Sequence, residues 1–429
     1  MRWLPPAELA VDVRANGGPL PRRWRCGRGG GRAIASVETS VDGVRWAPAS
    51  LEGGSLVLPP DTRQLRYRYS LEEARRRFGP RLETGAGGDG VWALNGAAYL
   101  LRPLGLAADA PVRTRFGPSA LVPWTLDGEG YARVRARDLI DPGFHGFGVR
   151  SRQIPLGGGV VETVLLPGAR RVDDDAVARW LAQAGQELIS LCDRLPAARV
   201  VVFVQPVPGV AEASPFGMVL RSRPPSVGIY LGGEADEAAL ARDWVAVHEF
   251  LHLALPRLRP DPDWLSEGLA TYYQEVARLR SGRIDARTLA EHFAWGVRQG
   301  RRESDGRSLE ECSRSMHRLR CYRAVYWGGA LFSFDLDLAL RERTHGARGL
   351  EDALAALRNR NFEATPGAFA RAVDSLAGEA LFASVAARHV EGPAFASSEP
   401  LLALLGVRKG SGEAGEASER ALATLRPGS

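Results

Sequence analysis

Two histidines and a glutamate stand together in the segment His248-Glu249-Phe250-Leu251-His252. Histidines four positions apart lie on one face of an α-helix, about one turn apart, so both imidazoles can bind a single ion. The glutamate beside the first histidine is placed to take a proton from a water molecule at that ion. The types and spacing of these residues therefore predict a metal-dependent hydrolase site.

Glu267 offers a third protein ligand in the segment that follows. It lies in the first turn of a second predicted helix, 264–280, and residues 253–266 separate it from His252. An acidic residue there is also explained by the preference of helix N-termini for negative charge. Two imidazoles and a carboxylate, however, are the ligands of zinc sites that keep one position open for water. We predict one zinc ion (Zn2+) per chain, bound by His248, His252 and Glu267.

The two segments together resemble the gluzincin zinc peptidases, and most closely the glycyl aminopeptidase family. The likeness is carried by HEFLH at 248–252, by WLSEGLATYY at 264–273, and by the tyrosine- and glycine-containing segment at 322–331. The resemblance implies that Glu249 is the general base. It also implies that Tyr326, from its place in a Tyr-x-x-Gly pattern, stabilises the oxyanion.

Both implied roles fit the chemistry of amide hydrolysis. A carboxylate near the attacking water assists as a general base, which is the role implied for Glu249. A phenol with a pKa near 10 keeps its proton at neutral pH and can donate to a developing alkoxide, as implied for Tyr326. Tyr322 lies one helical turn earlier and is an alternative donor. Packing within an aromatic-rich helix is the other interpretation of both tyrosines.

The resemblance implies a zinc-dependent metallopeptidase that acts on peptides, and favours an aminopeptidase. Relatives hold the free amine of the substrate with a glutamate on a glycine-rich edge strand, but the corresponding region here, 214–221, has no acidic residue. Exopeptidase and endopeptidase action therefore both stay open. The alternative function is a catalytically silent or non-peptidase member that uses the same scaffold to bind peptides or proteins.

The elements that position these residues fall into three predicted parts. Short alternating strands between Gly- and Pro-rich turns predict an antiparallel β domain at 1–170. A helix, two strands and the motif helix predict an α/β lobe that ends near 255, followed by a helical lobe. By resemblance, 171–395 is a thermolysin-like catalytic domain without the PDZ domain of many relatives. A polar tail at 396–429 is expected to be disordered. The predicted fold class is multidomain α+β.

The amino-acid composition and the distribution of charge indicate which kind of molecule this chain binds. The chain has 429 residues, of which 45% are hydrophobic and 25% charged, and this suffices for two or more cores. The net charge of +6 arises from arginines interleaved with acidic residues, whereas a nucleic-acid site would cluster them. We therefore expect a peptide substrate and no nucleic-acid partner, and the sequence leaves the oligomeric state open.

The sequence also bears on the compartment. No apolar run approaches the roughly 20 residues that span a bilayer, and no signal peptide is recognised after Met1. A cytoplasmic location is expected if the chain is complete, and an exported or periplasmic one if a leader was removed or the start is misplaced. The cysteines show no metal-binding spacing. A disulfide between Cys312 and Cys321 is one alternative, and free buried thiols are the other.

Overall fold

The structure is a computed structural model that describes residues 1–27, 29–260, 262–358, 363–408 and 414–425. The chain divides into two compact units, one comprising 1–182 and 197–246 and the other 183–196 and 247–429. Antiparallel sheets dominate the first part of the chain and helices the last, so the predicted α+β class is confirmed. The predicted domain boundaries near 170 and 395 stay predictions.

The first part of the chain is built from short strands that pair antiparallel. The sheets have the orders β1-β2-β7-β4-β5, β10-β3-β6, β11-β13 and β12-β14-β9-β8, and one α-helix, α1 (Leu71–Phe78), follows β7. The strands are β1 (Arg2–Leu4), β2 (Glu8–Arg14), β3 (Arg23–Arg25), β4 (Ile34–Ser40), β5 (Ala47–Pro48), β6 (Ser55–Val57), β7 (Gln64–Ser70), β8 (Ala86–Gly88), β9 (Val91–Asn95), β10 (Arg102–Leu104), β11 (Pro111–Arg115), β12 (Ala120–Leu121), β13 (Tyr131–Arg135) and β14 (Phe144–Phe147).

Alternation of side chains explains these strands. In β7 the buried residues are Leu65, Tyr67 and Tyr69, whereas the arginines between them are more exposed. Successive side chains of a strand point to opposite faces, so this pattern places one face on the core. Short 3-10 helices complete this region, at Gly30–Ala33, Gly96–Ala98 and Ala136–Leu139.

A mixed sheet with the order β15-β16-β17-β19-β18 follows. Strands β16, β17 and β19 are parallel, and β18 pairs antiparallel at the edge, where an edge strand is predicted. Parallel neighbours need a long crossover, and a helix supplies it between β16 and β17. The elements are β15 (Arg152–Leu156), β16 (Gly159–Leu165), α2 (Asp174–Cys192), β17 (Arg199–Val207), β18 (Phe216–Leu220), β19 (Ser226–Gly232) and α3 (Glu237–Arg242).

The last part of the chain is helical and centres on α9, which packs against α5, α6 and α12. Apolar residues occur all round α9, as expected of a buried helix. The described residues contain no helix both long and apolar enough to cross a membrane. The elements are α4 (Val245–Ala254), β20 (Arg257–Leu258), α5 (Asp263–Arg280), α6 (Ala286–Ser304), α7 (Leu309–Arg314), α8 (Met316–Leu319), α9 (Tyr322–Arg343), α10 (Leu350–Arg358), β21 (Glu363–Ala364), α11 (Pro366–Ala377) and α12 (Leu381–His389).

The segment 396–429 differs from the disordered tail that its composition predicts. Its described part contains the helices α13 (Ser398–Leu404) and α14 (Glu419–Leu425). Leu401 and Leu425 are among their buried side chains, and burial of such groups offsets the entropy lost on ordering. Residues 409–413 and 426–429, which include most of the glycine-rich stretch behind the prediction, lie outside the described residues.

Helices α5 and α9 approach to backbone contact at Gly268 and Gly329. A Cβ atom on Gly329 would overlap the carbonyl oxygen of Trp264 and lie 2.7 Å from the Cα of Gly268. A Cβ atom on Gly268 would overlap the backbone of Gly329. Favourable carbon contacts begin near 3.5 Å, so neither position has room for a side chain. This contact sets the turn of α5 that contains Glu267 against the turn of α9 that contains Tyr326.

Replacement of Gly329 by alanine is expected to lower the free energy of unfolding by roughly 2–3 kcal/mol, because the new methyl group meets backbone atoms. Gly328→Ala, on the same helix, is the matched control. Its Cβ would lie 2.8 Å from Leu309 Cδ1, which can rotate away, and alanine favours a helix over glycine by up to about 1 kcal/mol. Urea unfolding curves measure both variants. Equal stability of the two would contradict a backbone contact at Gly329.

Candidate metal centre

Helix α4 places His248 and His252 side by side. The Asp243 carboxylate accepts from Ala246 N at 2.9 Å in the first turn, and the helix ends before Pro256, which cannot continue it. The two imidazole rings meet edge to face, with centroids 4.9 Å apart and an interplanar angle of 85°. The spacing of four residues therefore brings both rings to one site, as predicted.

Glu267 reaches both histidines from the first turns of α5. Its Oε2 atom lies 3.1 Å from His248 Nε2 and 3.4 Å from His252 Nε2. One potential ligand atom from each of the three residues lies within 4.8 Å of the other two. The start of α5 is held by Ser313, whose hydroxyl accepts from Trp264 N at 3.2 Å. The structure thus brings together all three residues predicted as zinc ligands.

The electrostatics of this cluster suit a cation. Burial disfavours the charge on Glu267, but His252 and His248 more than offset it and bring the pKa of that carboxyl well below its usual range. Burial likewise disfavours a charged His248, but its hydrogen bond to Glu267 and the carboxylate charges raise its pKa. Two nitrogens and one carboxylate oxygen are the donors of an open zinc site, and zinc binding replaces protons on such ligands. The residues present therefore fit zinc.

Gln274 is a part of the site that the sequence analysis missed. Its Oε1 atom lies 2.9 Å from His248 Nδ1. An amide oxygen only accepts, so Nδ1 donates its hydrogen to Gln274, and Nε2 is the nitrogen that faces the cluster. Gln274 follows Glu267 by two turns on the same face of α5. A polar residue seven positions after a ligand, on an apolar helix, is the signal that identifies it.

Glu249 is buried beside the histidines, with 7% of its surface exposed. Its negative charge contributes to the raised pKa values of both His248 and Tyr326. The carboxylate is therefore close enough to the cluster for a direct electrostatic effect. This is the surrounding expected for a base that acts on a water molecule near the histidines.

Tyr326 lies against the cluster from α9. Its ring stacks on the His248 ring, with centroids 5.4 Å apart and an interplanar angle of 12°. Burial raises the pKa of the Tyr326 hydroxyl, and the charges of Glu267 and Glu249 raise it further. The phenol therefore keeps its proton and stays a donor.

Two neighbours of Tyr326 have different surroundings. Tyr322 is 41% exposed, and its hydroxyl lies 3.1 Å from His317 Nδ1. Trp327 packs on α6 at Gly296, where a Cβ atom would overlap the indole ring. Helix α9 therefore presents Tyr326 to the cluster and uses Trp327 for packing.

Several solved structures have a fold similar to that of this chain. An aminopeptidase N family protein from Idiomarina loihiensis matches with a TM-score of 0.63 and 15% identity, over 82% of this chain and 67% of that one. Native yeast LTA4 hydrolase matches with a TM-score of 0.51 and 11% identity, over 90% of this chain and 65% of that one. A mutant M1 zinc metallopeptidase from Deinococcus radiodurans matches at 0.49 with 17% identity, over 92% of each chain.

The chain shares the fold of the aminopeptidase N family protein. No protein-family model matches this sequence, and no curated protein matches it either. The two matches with a TM-score above 0.5 share only 11–15% sequence identity with this chain, so they show a similarity of fold alone. Residue roles and activity must be argued from the side chains of this chain.

Purified protein is expected to contain one zinc ion per chain. Replacement of Glu267 by alanine should reduce the zinc content well below stoichiometric, because two imidazoles remain where three ligands are needed. Mass-spectrometric metal analysis measures this. Glu291→Ala is the control, since Glu291 pairs with Arg287 on the exposed face of α6. Unchanged stoichiometric zinc in Glu267→Ala would remove Glu267 from the site.

Proposed function

We propose that this chain is a zinc-dependent metallopeptidase, and more finely an aminopeptidase, with peptides as its substrates. One observation carries the proposal: His248, His252 and Glu267 converge on one point, and the ring of Tyr326 stacks on His248 beside them. The fold shared with an aminopeptidase N family protein supports the proposal. The finer assignment to an aminopeptidase rests on the sequence resemblance to the glycyl aminopeptidases.

The proposed mechanism assigns one task to each side chain. When bound by the three ligands, zinc lowers the pKa of water to about 7 and polarises a carbonyl group. Glu249 takes a proton from the attacking water and returns it to the leaving amine. Tyr326 donates a hydrogen bond to the carbonyl oxygen of the substrate as negative charge develops there. Because Glu249 is buried and Tyr326 is half-buried, these electrostatic interactions are stronger than in solution.

Hydrolysis of a peptide library, with free and with acetylated amino termini, tests the proposed activity. Wild-type protein should cleave peptides with a free amine, and a chelator should abolish the cleavage. Glu249→Gln should keep its zinc but lose about 10²-fold or more in kcat, because the amide cannot accept the proton. Mass spectrometry of products and metal analysis of the variant are the measurements.

Each contrary result of this experiment has a separate meaning. Equal cleavage of acetylated peptides would replace the aminopeptidase with an endopeptidase. Zinc-loaded protein that binds peptides without cleaving them would identify the silent scaffold. Wild-type turnover by zinc-loaded Glu249→Gln would remove Glu249 from the mechanism.

Tyr326→Phe is expected to lower kcat by about two orders of magnitude and to leave KM nearly unchanged. The hydrogen bond to the oxyanion exists only in the transition state, and one such donor contributes roughly 3 kcal/mol. The phenylalanine ring preserves the stacking on His248, so the fold should be unaffected. Tyr322→Phe is the matched control on the same helix and should retain activity. A large loss in Tyr322→Phe alone would transfer the role to Tyr322.

A further inference from the structure

A buried chain of hydrogen bonds continues from His248 away from the metal ligands. Gln274 accepts from His248 with its oxygen and donates with Nε2 to Glu275 Oε1 at 3.0 Å. His292 Nδ1 lies 2.7 Å from Glu275 Oε2, and Arg278 Nη1 lies 3.5 Å from Glu275 Oε1. Gln274 is 2% and Glu275 1% exposed. The hydrogen-bonding partners of these two buried side chains are therefore other side chains of the protein.

The side-chain amide of Gln274 can face His248 with its oxygen or, after a half-turn, with its nitrogen. The shape of the amide does not decide between these two orientations. The oxygen and nitrogen of an amide occupy nearly equivalent positions, and only their partners distinguish them. If the nitrogen faced His248 instead, Nδ1 would have to accept and Nε2 would carry the hydrogen. Nε2 could then not bind a metal ion without losing that hydrogen.

Glu275 decides between the two orientations of the Gln274 amide. A carboxylate has acceptors and no donors, so the side of Gln274 that faces it must be the NH2 group. The amide oxygen of Gln274 is then left for His248. Burial raises the pKa of Glu275, but the hydrogen bond and charge of His292, together with the charge of Arg278, bring it below its ordinary value. Glu275 is therefore an acceptor only, although it is buried.

His292 links this series of hydrogen bonds to the surface. Its side chain is 34% exposed, whereas that of Glu275 is 2% exposed. It comes from α6, whereas Gln274, Glu275 and Arg278 all lie on α5. The orientation of a histidine on α4 thus depends on a carboxylate that a residue of a third helix holds in place. Polar groups around metal ligands commonly have this role, and their removal typically costs 10- to 100-fold in metal affinity.

We propose that Glu275 is a positioning residue for the metal centre: it turns the Gln274 amide so that its oxygen accepts from Nδ1 of His248, and Nε2 of His248 is the nitrogen that meets the metal. The inference rests on the proposed zinc site, but it does not depend on peptidase activity. Its test therefore measures zinc affinity and the state of the imidazole.

The first variant is Glu275→Gln, with the zinc dissociation constant measured by competition against a chromogenic chelator. A glutamine at 275 has one oxygen against three donors, from Gln274, Arg278 and His292, so the amides no longer have a single satisfied arrangement. Zinc affinity is expected to fall by about 10-fold or more. Glu187→Gln is the control. Glu187 is also a buried glutamate, hydrogen-bonded to Gln183 in the second compact unit, and its loss should leave zinc affinity unchanged.

The second variant exchanges the two residues, Gln274→Glu with Glu275→Gln. The carboxylate at 274 then accepts from His248 with one oxygen and from the new amide with the other, while the amide oxygen at 275 accepts from His292. The hydrogen-bonded path from His248 to His292 is again continuous, and the net charge is unchanged. Zinc affinity should return to the wild-type value, although both positions are substituted.

Nitrogen-15 NMR of labelled histidines in the zinc-loaded proteins reports the imidazole directly. The Nδ1–H signal of His248 should be protected from exchange in the wild type and in the exchanged pair, and broadened in Glu275→Gln. Wild-type affinity and an unchanged signal in Glu275→Gln would overturn the positioning role and leave the proposed function intact. An exchanged pair as weak as Glu275→Gln would also overturn it. Absence of zinc binding by the wild type would overturn both proposals.

Discussion

The contact between the backbones of Gly268 and Gly329 is the constraint on which the rest of the site depends. Glu267 directly precedes Gly268, and Tyr326 lies one helical turn before Gly329. Because the two helices touch without side chains between them, Glu267 from α5 and the ring of Tyr326 from α9 both contact His248. Each glycine costs about 1 kcal/mol of helix stability relative to alanine. The packing that it permits offsets this cost and sets the geometry of the cluster.

Charge imposes a second constraint, because the site is buried. A buried polar group needs a partner, and a buried charge needs compensation. Glu267 is compensated by His248 and His252, and the far side of His248 is satisfied by Gln274. That amide in turn depends on Glu275. The ligand cluster is therefore one end of a polar path through α5, and its geometry is specified by groups that do not touch the metal position.

Local spacing explains why the convergence of His248, His252 and Glu267 could be predicted. His248 and His252 are one turn apart on one helix, and Glu267 follows a turn at the start of the next, so short-range periodicity suffices to place all three. The choice between Tyr322 and Tyr326 needed the structure, because both lie on one helix at a spacing of one turn. The ring of Tyr326 stacks on His248, whereas Tyr322 lies beside His317.

Contacts between distant residues explain what the sequence did not predict. Glu275 and His292 lie on different helices, and nothing in their spacing indicates that they meet. Composition alone also does not indicate the helices α13 and α14 near the carboxyl end, where Leu401 and Leu425 are buried. An average over a polar segment conceals a few apolar residues whose burial is decided by the rest of the fold.

Anomalous X-ray diffraction from crystals of the zinc-loaded protein tests the central claim most directly. The account predicts one strong peak at the zinc edge, about 2.0–2.2 Å from Nε2 of His248, from Nε2 of His252 and from a carboxylate oxygen of Glu267. The Tyr326 hydroxyl should then face the open coordination position. A peak at another place in the chain, or a zinc ion bound through Nδ1 of His248, would contradict the account.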